Sequence, residues 1–491
     1  MSKKGKLSDK RTSSVKKNAV LSVIKQICAI VFPMITFPYA TRILGVENYG
    51  KINFSSSIVE YVSLIAAAGI SRYAIRECAR VRDDKDQLRT VINELFSINI
   101  ISTIAAYLFL MILFILWPKL RNYSSIILVQ TLSVIFTTLG VDWVNSAIED
   151  YFFITVRYII CQAIAILMMF LLVRNRNDYV AYAFTSVIGV VFANIMNIFH
   201  IHKVLGTIPK FVISKGILKR IKPVMYMFIC SIASTIYISS DITILNIFTN
   251  DKIVGYYSVS TKFYNMVKQI VNAAFVVVIP RISNLIAIDN ISEEERVDNA
   301  ANKLSELLNV TILFAFPLSV GLFMISKNLI ILFSGNAYVP ATSSLKILAL
   351  AIVPATLANF FVNIVMIPYL MDKKVMIETV ISAIVNIVLN LILIPYFKED
   401  AAALTTLIAE VIMVTMGVFY TRRTLKIKII KPLLTTMVGC ISIIVLCTFV
   451  NKFVMNSFIN ICLCVIVSAF AYSLVILGSY KGKVINFLRG K

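Results

Sequence analysis

Apolar positions dominate this chain in runs of about 20 to 30 residues that follow one another with little pause, the length a helix needs to cross a bilayer. The pattern predicts about 14 spans, at roughly residues 18–43, 51–78, 88–116, 124–147, 152–173, 179–203, 222–248, 254–286, 304–333, 340–370, 375–396, 401–421, 432–454 and 457–479. Within the second span Asn53, Ser57, Glu60, Ala67 and Ser71 recur at helical steps, so a polar and small-residue stripe runs down one face. A carboxylate at membrane depth is costly unless it faces water or a partner, so Glu60 marks an interior lining. The arrangement returns about 205 positions later. There Gly255, Ser258, Asn265 and Arg281 superpose on Gly50, Asn53, Glu60 and Arg76, and Ser258, Thr261, Asn265, Lys268 and Asn272 share one face with Lys262 beside it.

The repeat extends further, with Leu88 and Asn93 matching Leu304 and Asn309. Each copy therefore holds six spans, and an even number makes both enter the membrane the same way round. The expected fold is an all-α polytopic membrane protein: two six-helix lobes related by a pseudo-twofold axis along the membrane normal, with a site between them at mid-depth. The expected divisions are an N-terminal lobe over 1–205, a C-terminal lobe over 206–423 introduced by a basic cytoplasmic loop, and an appended helix hairpin with a basic tail over 424–491.

Composition agrees: 59% of the 491 residues are hydrophobic and mean hydropathy is +0.85, which excludes an ordinary soluble globular protein. The first apolar run is too long and its leader too polar for a signal peptide. The net charge of +23 invites a nucleic-acid partner, but the charge distribution speaks against one. Alternate connections and the two tails carry about 34 Lys and Arg against about 8 in the other connections, which places both termini in the cytoplasm. The eight cysteines are scattered through apolar spans as small packers, without zinc-site spacing. There is no GxxxxGK[ST], H-E-x-x-H or G-x-S-x-G sequence, and the outward connections are short, so neither an enzyme, a cofactor nor a metal is expected.

Ionisable residues inside spans are the guide to function. Lys25, Lys262 and Lys268 are the candidate lumen cations. Glu60, Asp142, Asp241 and the repeat-related Asn265 are the candidate polar or ion-coupling groups. Arg72, Arg76 and Arg80 share one face at the inner end of span 2, either as positive-inside anchors or as a cationic mouth for phosphate groups. Trp143 is either an inner-interface anchor or an aromatic face for a sugar. Pro33 and Pro38 should bend the first span.

The stretch YGKINFSSSIVEYVSLIAAAGISRYAIRECARVRDD, with Asp142, Trp143, Glu149 and Asp150 further on, closely resembles the bacterial oligosaccharide repeat-unit flippases, the Wzx-type polysaccharide transporters of the MOP superfamily that also includes MATE antiporters and the lipid II flippase. The resemblance spans essentially the whole chain. It implies an alternating-access carrier that takes an undecaprenyl-diphosphate-linked oligosaccharide from the cytoplasmic to the outer leaflet for O-antigen or capsule synthesis. It also implies coupling to H+ or Na+ and delivery to polysaccharide polymerase machinery. The alternative is a MATE-like exporter of small organic cations, whose lumen should be acidic and aromatic with few lysines.

Overall fold

A computed structural model describes residues 3–82, 84–286, 293–422 and 430–488. Side chains of Asn272 and Arg281, which enter the helix-face and repeat arguments, lie outside the described residues. The described chain is all α-helical apart from turns and short 3-10 and π segments. Ten stretches are long and apolar enough to cross a membrane. Two of these, Val23–Arg80 and Asp372–Thr421, each hold two crossings joined at a sharp break, at Gly45 and at Lys398. Two further helices, Lys215–Phe248 and Asp251–Ile286, are 34 and 36 residues long. The fourteen-span architecture is therefore present, and its backbone hydrogen bonds stay inside each helix as the bilayer requires.

The chain divides into two compact units, Met1–Thr243 and Ile244–Lys491. The first contains α1 (Lys3–Ala67), α2 (Ile70–Arg80), α3 (Lys85–Leu116), α4 (Ser124–Gly140), α5 (Trp143–Ala147), α6 (Tyr151–Leu172), α7 (Tyr179–Leu205) and most of α8 (Lys215–Phe248). Its polar helix starts are capped: the Asp84 carboxylate accepts from the amides of Asp86 and Gln87 at 3.0 and 3.1 Å, and Asp150 accepts from Phe153 at 3.1 Å. Large apolar side chains such as Ile115, Leu116 and Leu167 point outward and are exposed, as lipid-facing positions are.

One expectation needs correction. The second span is not one continuous helix: it breaks at Ala68 and Gly69, whose φ values are 45° and 71°. The break frees the Ala66 carbonyl inside the membrane, and α3 takes it up, with Asn99 donating at 2.8 Å and Ser102 at 2.6 Å. Glycine is required at 69 twice over. Its φ is left-handed, and a Cβ there would stand 2.5 Å from the Phe228 backbone nitrogen of α8.

The stretch between α7 and α8, expected as a basic loop, is strapped to α3. The Lys210 amide donates to Asn93 at 2.9 Å, the Val212 amide to Ser97 at 2.8 Å and Ser214 to Glu94 at 2.7 Å. Arg220 closes the strap, 2.6 Å from Glu94 and 3.7 Å from Glu77.

The second unit holds the end of α8, then α9 (Asp251–Ile286), α10 (Glu293–Ser334), α11 (Thr342–Asn359), α12 (Asp372–Thr421), α13 (Ile430–Phe453) and α14 (Ser457–Leu488). Helices α11 and α12 meet through small residues, with Ala349, Ala351, Ala401, Ala402 and Ala403 almost fully buried. A π-helical turn, Phe360–Met366, continues α11. The last hairpin docks on α10, where Asn328 donates to Asn460 at 2.7 Å and Tyr472 donates to the Leu313 carbonyl at 2.6 Å.

Candidate functional site

The first unit encloses a hollow of about 360 Å³ between α1, α2, α3, α4 and α5. Its wall mixes polar and apolar groups: Ser63, Ser71, Asn99, Ser133, Thr137, Thr138 and Ser146 line it with Asp142 and Trp143, beside Ala66, Ala67, Ile75 and Val134. Ser63 of α1 and Ser71 of α2, on either side of the break at Ala68–Gly69, both line this wall. Helix α4 ends on a second unusual residue. Val141 is β-branched yet has φ 40°, a conformation such residues rarely adopt. That turn is what presents Asp142 and Trp143 to the hollow.

Asp142 is held from behind. Its Oδ1 accepts from Arg157 Nη2 at 2.9 Å and from Asn197 Nδ2 at 3.1 Å. Asn197 in turn accepts from Asn145 at 2.7 Å and from Arg157 Nη1. The Arg157 side chain is only 6% exposed while that of Asp142 is 44% exposed. The pair is thus one-sided: the cation is sealed among helices and the carboxylate opens toward the hollow. Lys25 lies over the Tyr158 ring at 5.7 Å. Trp143 is buried in an apolar cluster with Ile70, Tyr73 and Ala74, not spread at an interface, and its indole nitrogen has no hydrogen-bond partner.

The other expected residues divide into distinct groups. Glu60 is exposed and accepts from Ser239 of α8, one turn from the place where Ser57 and Tyr61 meet Thr243 at 3.0 and 3.2 Å. Its repeat counterpart, Asn265, is likewise exposed. Asp241 is buried. Arg72 and Arg76 are exposed on α2, with Arg76 lying 5.6 Å from the Tyr73 ring centre. In the second unit Lys268 is engaged: its Nζ is 2.7 Å from Glu410, which also accepts from Tyr264 at 3.0 Å. Lys262, half-buried one and a half turns earlier, makes no ion pair among the described residues.

Arg157, Asn145 and Asn197 do not figure among the candidates drawn from sequence. Arg157 is a charge inside an apolar run, which is a sufficient signal by itself. The asparagines gave none, because single amides are common in membrane helices.

The chain is 21% identical over 280 residues to an Escherichia coli K12 protein named for O-antigen transport, covering 57% of this chain and 67% of that one. It is 23% identical over 348 residues to a Shigella dysenteriae protein of the same name, covering 70% and 83%. Among solved structures, a lipid II flippase in an inward closed conformation aligns with a TM-score of 0.69 at 16% identity, over 96% of this chain and 99% of that one. An inward-facing multidrug MATE transporter of the MOP superfamily aligns at 0.56 and 12% identity, over 80% and 97%. At these identities the two structures speak for the fold alone. A family described as polysaccharide biosynthesis protein matches residues 15–286, and with more than half of the chain inside that match, the protein belongs to this family.

Proposed function

We propose that the protein is an alternating-access carrier that moves an undecaprenyl-diphosphate-linked oligosaccharide from the inner to the outer face of the bacterial cytoplasmic membrane, for O-antigen or capsule synthesis. The observation that carries the reading is the hydroxyl- and amide-lined hollow within a membrane-spanning unit, with Asp142 and the Trp143 indole in its wall. A glycan cannot cross hydrocarbon with its hydroxyls unmatched, and Ser, Thr, Asn, a carboxylate and an indole are the groups that match them. The names of the Escherichia coli and Shigella relatives support the same assignment. Lys25, Arg72, Arg76 and Lys262 carry the charge that would offset a diphosphate. Lys268 would contribute less net charge, because Glu410 already neutralises it. Two states with the site open to one side and then the other give transport without chemistry on the substrate. Glu60, Asp142 and Asp241 are the candidates for coupling to H+ or Na+, and polymerase machinery would take the product at the outer face. With the basic connections inside, both termini are cytoplasmic.

The test is a deletion strain complemented with wild type, Asp142→Asn and Lys262→Ala, in which lipid-linked oligosaccharide and surface polysaccharide are followed together. Deletion should trap the glycolipid on the inner leaflet, and both variants should restore surface glycan poorly. Normal surface glycan with accumulation of cationic dyes in the cell would instead establish a MATE-like exporter.

A further inference from the structure

The second unit holds a carboxyl that none of the roles above employs. Glu378 lies near the start of α12, and its side chain is completely buried. Neither of its two oxygens has a hydrogen-bond partner. Glu410, the other deeply buried carboxylate on the same helix, has Lys268 and Tyr264 on it. The contrast is chemical. A carboxylate stripped of water needs a cation or donors in exchange, and Glu410 has both while Glu378 has neither.

The residues above Glu378 give this position a direction. Ser382, Asn386 and Asn390 follow it at four-residue steps, so the four side chains form one line down a single helix face, each 1% exposed or less. The upper three are satisfied within α12: Ser382 donates to the Ala409 carbonyl at 2.7 Å and Thr405 to Asn390 at 2.5 Å from across the break, and Asn390 donates to Asn386 at 3.1 Å. Only the acidic end of the line is unmatched. The charged groups on the neighbouring segments are engaged elsewhere or stand apart. Lys268 of α9 is on Glu410, Lys346 of α11 lies over the Phe323 ring, Lys374 lies over Tyr420, and Asp400 accepts from Ser343. Neither Lys262 of α9 nor any other described cation forms an ion pair with Glu378.

We propose that Glu378 is a proton-binding site in the second unit, and that loss and rebinding of this proton couple a transmembrane pH gradient to movement of the substrate. The coupling rests on the transport reading above; the proton itself does not. In the arrangement seen here the carboxyl is an uncharged acid, Glu378–COOH. When water reaches α12 in another state, the proton passes to that water and leaves Glu378–COO−, which is stable only while hydrated. The carboxylate form therefore favours the hydrated state and the acid favours the dry one, and a proton gradient biases the two according to which side the water comes from.

Two measurements on the purified full-length chain in lipid vesicles separate the parts. Infrared difference spectroscopy between wild type and Glu378→Gln should show loss of a protonated-carboxyl C=O band near neutral pH, and Glu410→Gln should keep that band. Identical carboxyl regions in wild type and Glu378→Gln would overturn the proton site whatever the protein transports. Transport of lipid-linked oligosaccharide should then be accelerated by an imposed pH gradient in wild type and in Glu378→Asp, and should lose that acceleration in Glu378→Gln. Equal acceleration in Glu378→Gln would overturn the coupling. A wild-type chain that moves no glycolipid, with the infrared band still lost in Glu378→Gln, would fault the transport reading and the coupling that rests on it while leaving the proton site standing.

Discussion

At the scale of single residues, the pair behind Asp142 makes the sharpest forecast. Replacing Arg157 with Met leaves the half-exposed Asp142 carboxylate with its main partner gone, and should destabilise the protein by about 1–2 kcal/mol in chemical unfolding. Adding Asp142→Asn should recover part of that loss, because the uncompensated charge goes with it. If the double variant is no more stable than Arg157→Met alone, the pair is not what holds the turn. On the opposite side of the same unit, the Asp178 carboxylate accepts from the amides of Arg174 and Asn175 at 2.9 and 2.8 Å, and these backbone donors hold it below its ordinary value. A carboxyl lowered by folding contributes stability above its unfolded value and loses it as pH falls through the folded one. The difference in thermal stability between wild type and Asp178→Asn should therefore be present at neutral pH and fade below about pH 4. Asp142, Trp143, Lys25 and Glu60 stand out in the sequence because each interrupts an apolar or otherwise regular pattern. Their partners are another matter. Arg157 lies 15 residues from Asp142 and Asn197 lies 55, so only the folding of α6 and α7 around α5 brings them to it.

Among helices and their joints, two glycines of nearly equal φ should answer very differently to the same change. Gly45 has φ 73° with open space around it, its nearest neighbour being the Arg176 side chain at 3.8 Å. Gly45→Ala should cost only the backbone strain of φ 73° with ψ 174°, a conformation nearly confined to glycine, about 1–3 kcal/mol. Gly69→Ala adds a collision with the backbone of α8, and should abolish accumulation of folded protein in membranes, as detected by size-exclusion profile. The strap between α7 and α8 is a second joint that can be tested. Glu94→Ala removes the acceptor shared by Ser214 and Arg220 and should speed trypsin cleavage at Lys210, Lys215 and Lys219 in open membrane fragments. An unchanged cleavage rate would mean that the backbone bonds from Lys210 and Val212 hold the strap unaided. Hydrophobic length was enough to foresee the spans and their order. It was blind to the break at Ala68–Gly69, because Ile65 to Ile70 reads as one smooth apolar run, and a break there is settled by α8 crossing close by and α3 capping the freed carbonyl.

For the molecule as a whole, the alternation of basic and neutral connections makes a prediction of sidedness. In a background lacking accessible native cysteines, a membrane-impermeant maleimide added to intact cells should label Arg176→Cys and leave Lys210→Cys unlabelled until the membrane is opened. The reverse pattern would invert the topology. The number of crossings followed from sequence because each crossing is a local property of about 20 residues, whereas the polar hollow did not, since it is made by side chains from five helices. In the first unit the connection that carries Arg176 is short and tied down: Asn48 donates to the Arg176 carbonyl at 2.7 Å and Tyr39 to the Val173 carbonyl at 2.7 Å. That connection therefore leaves little slack backbone for an antibody, a phage tail fibre or a protease to grip.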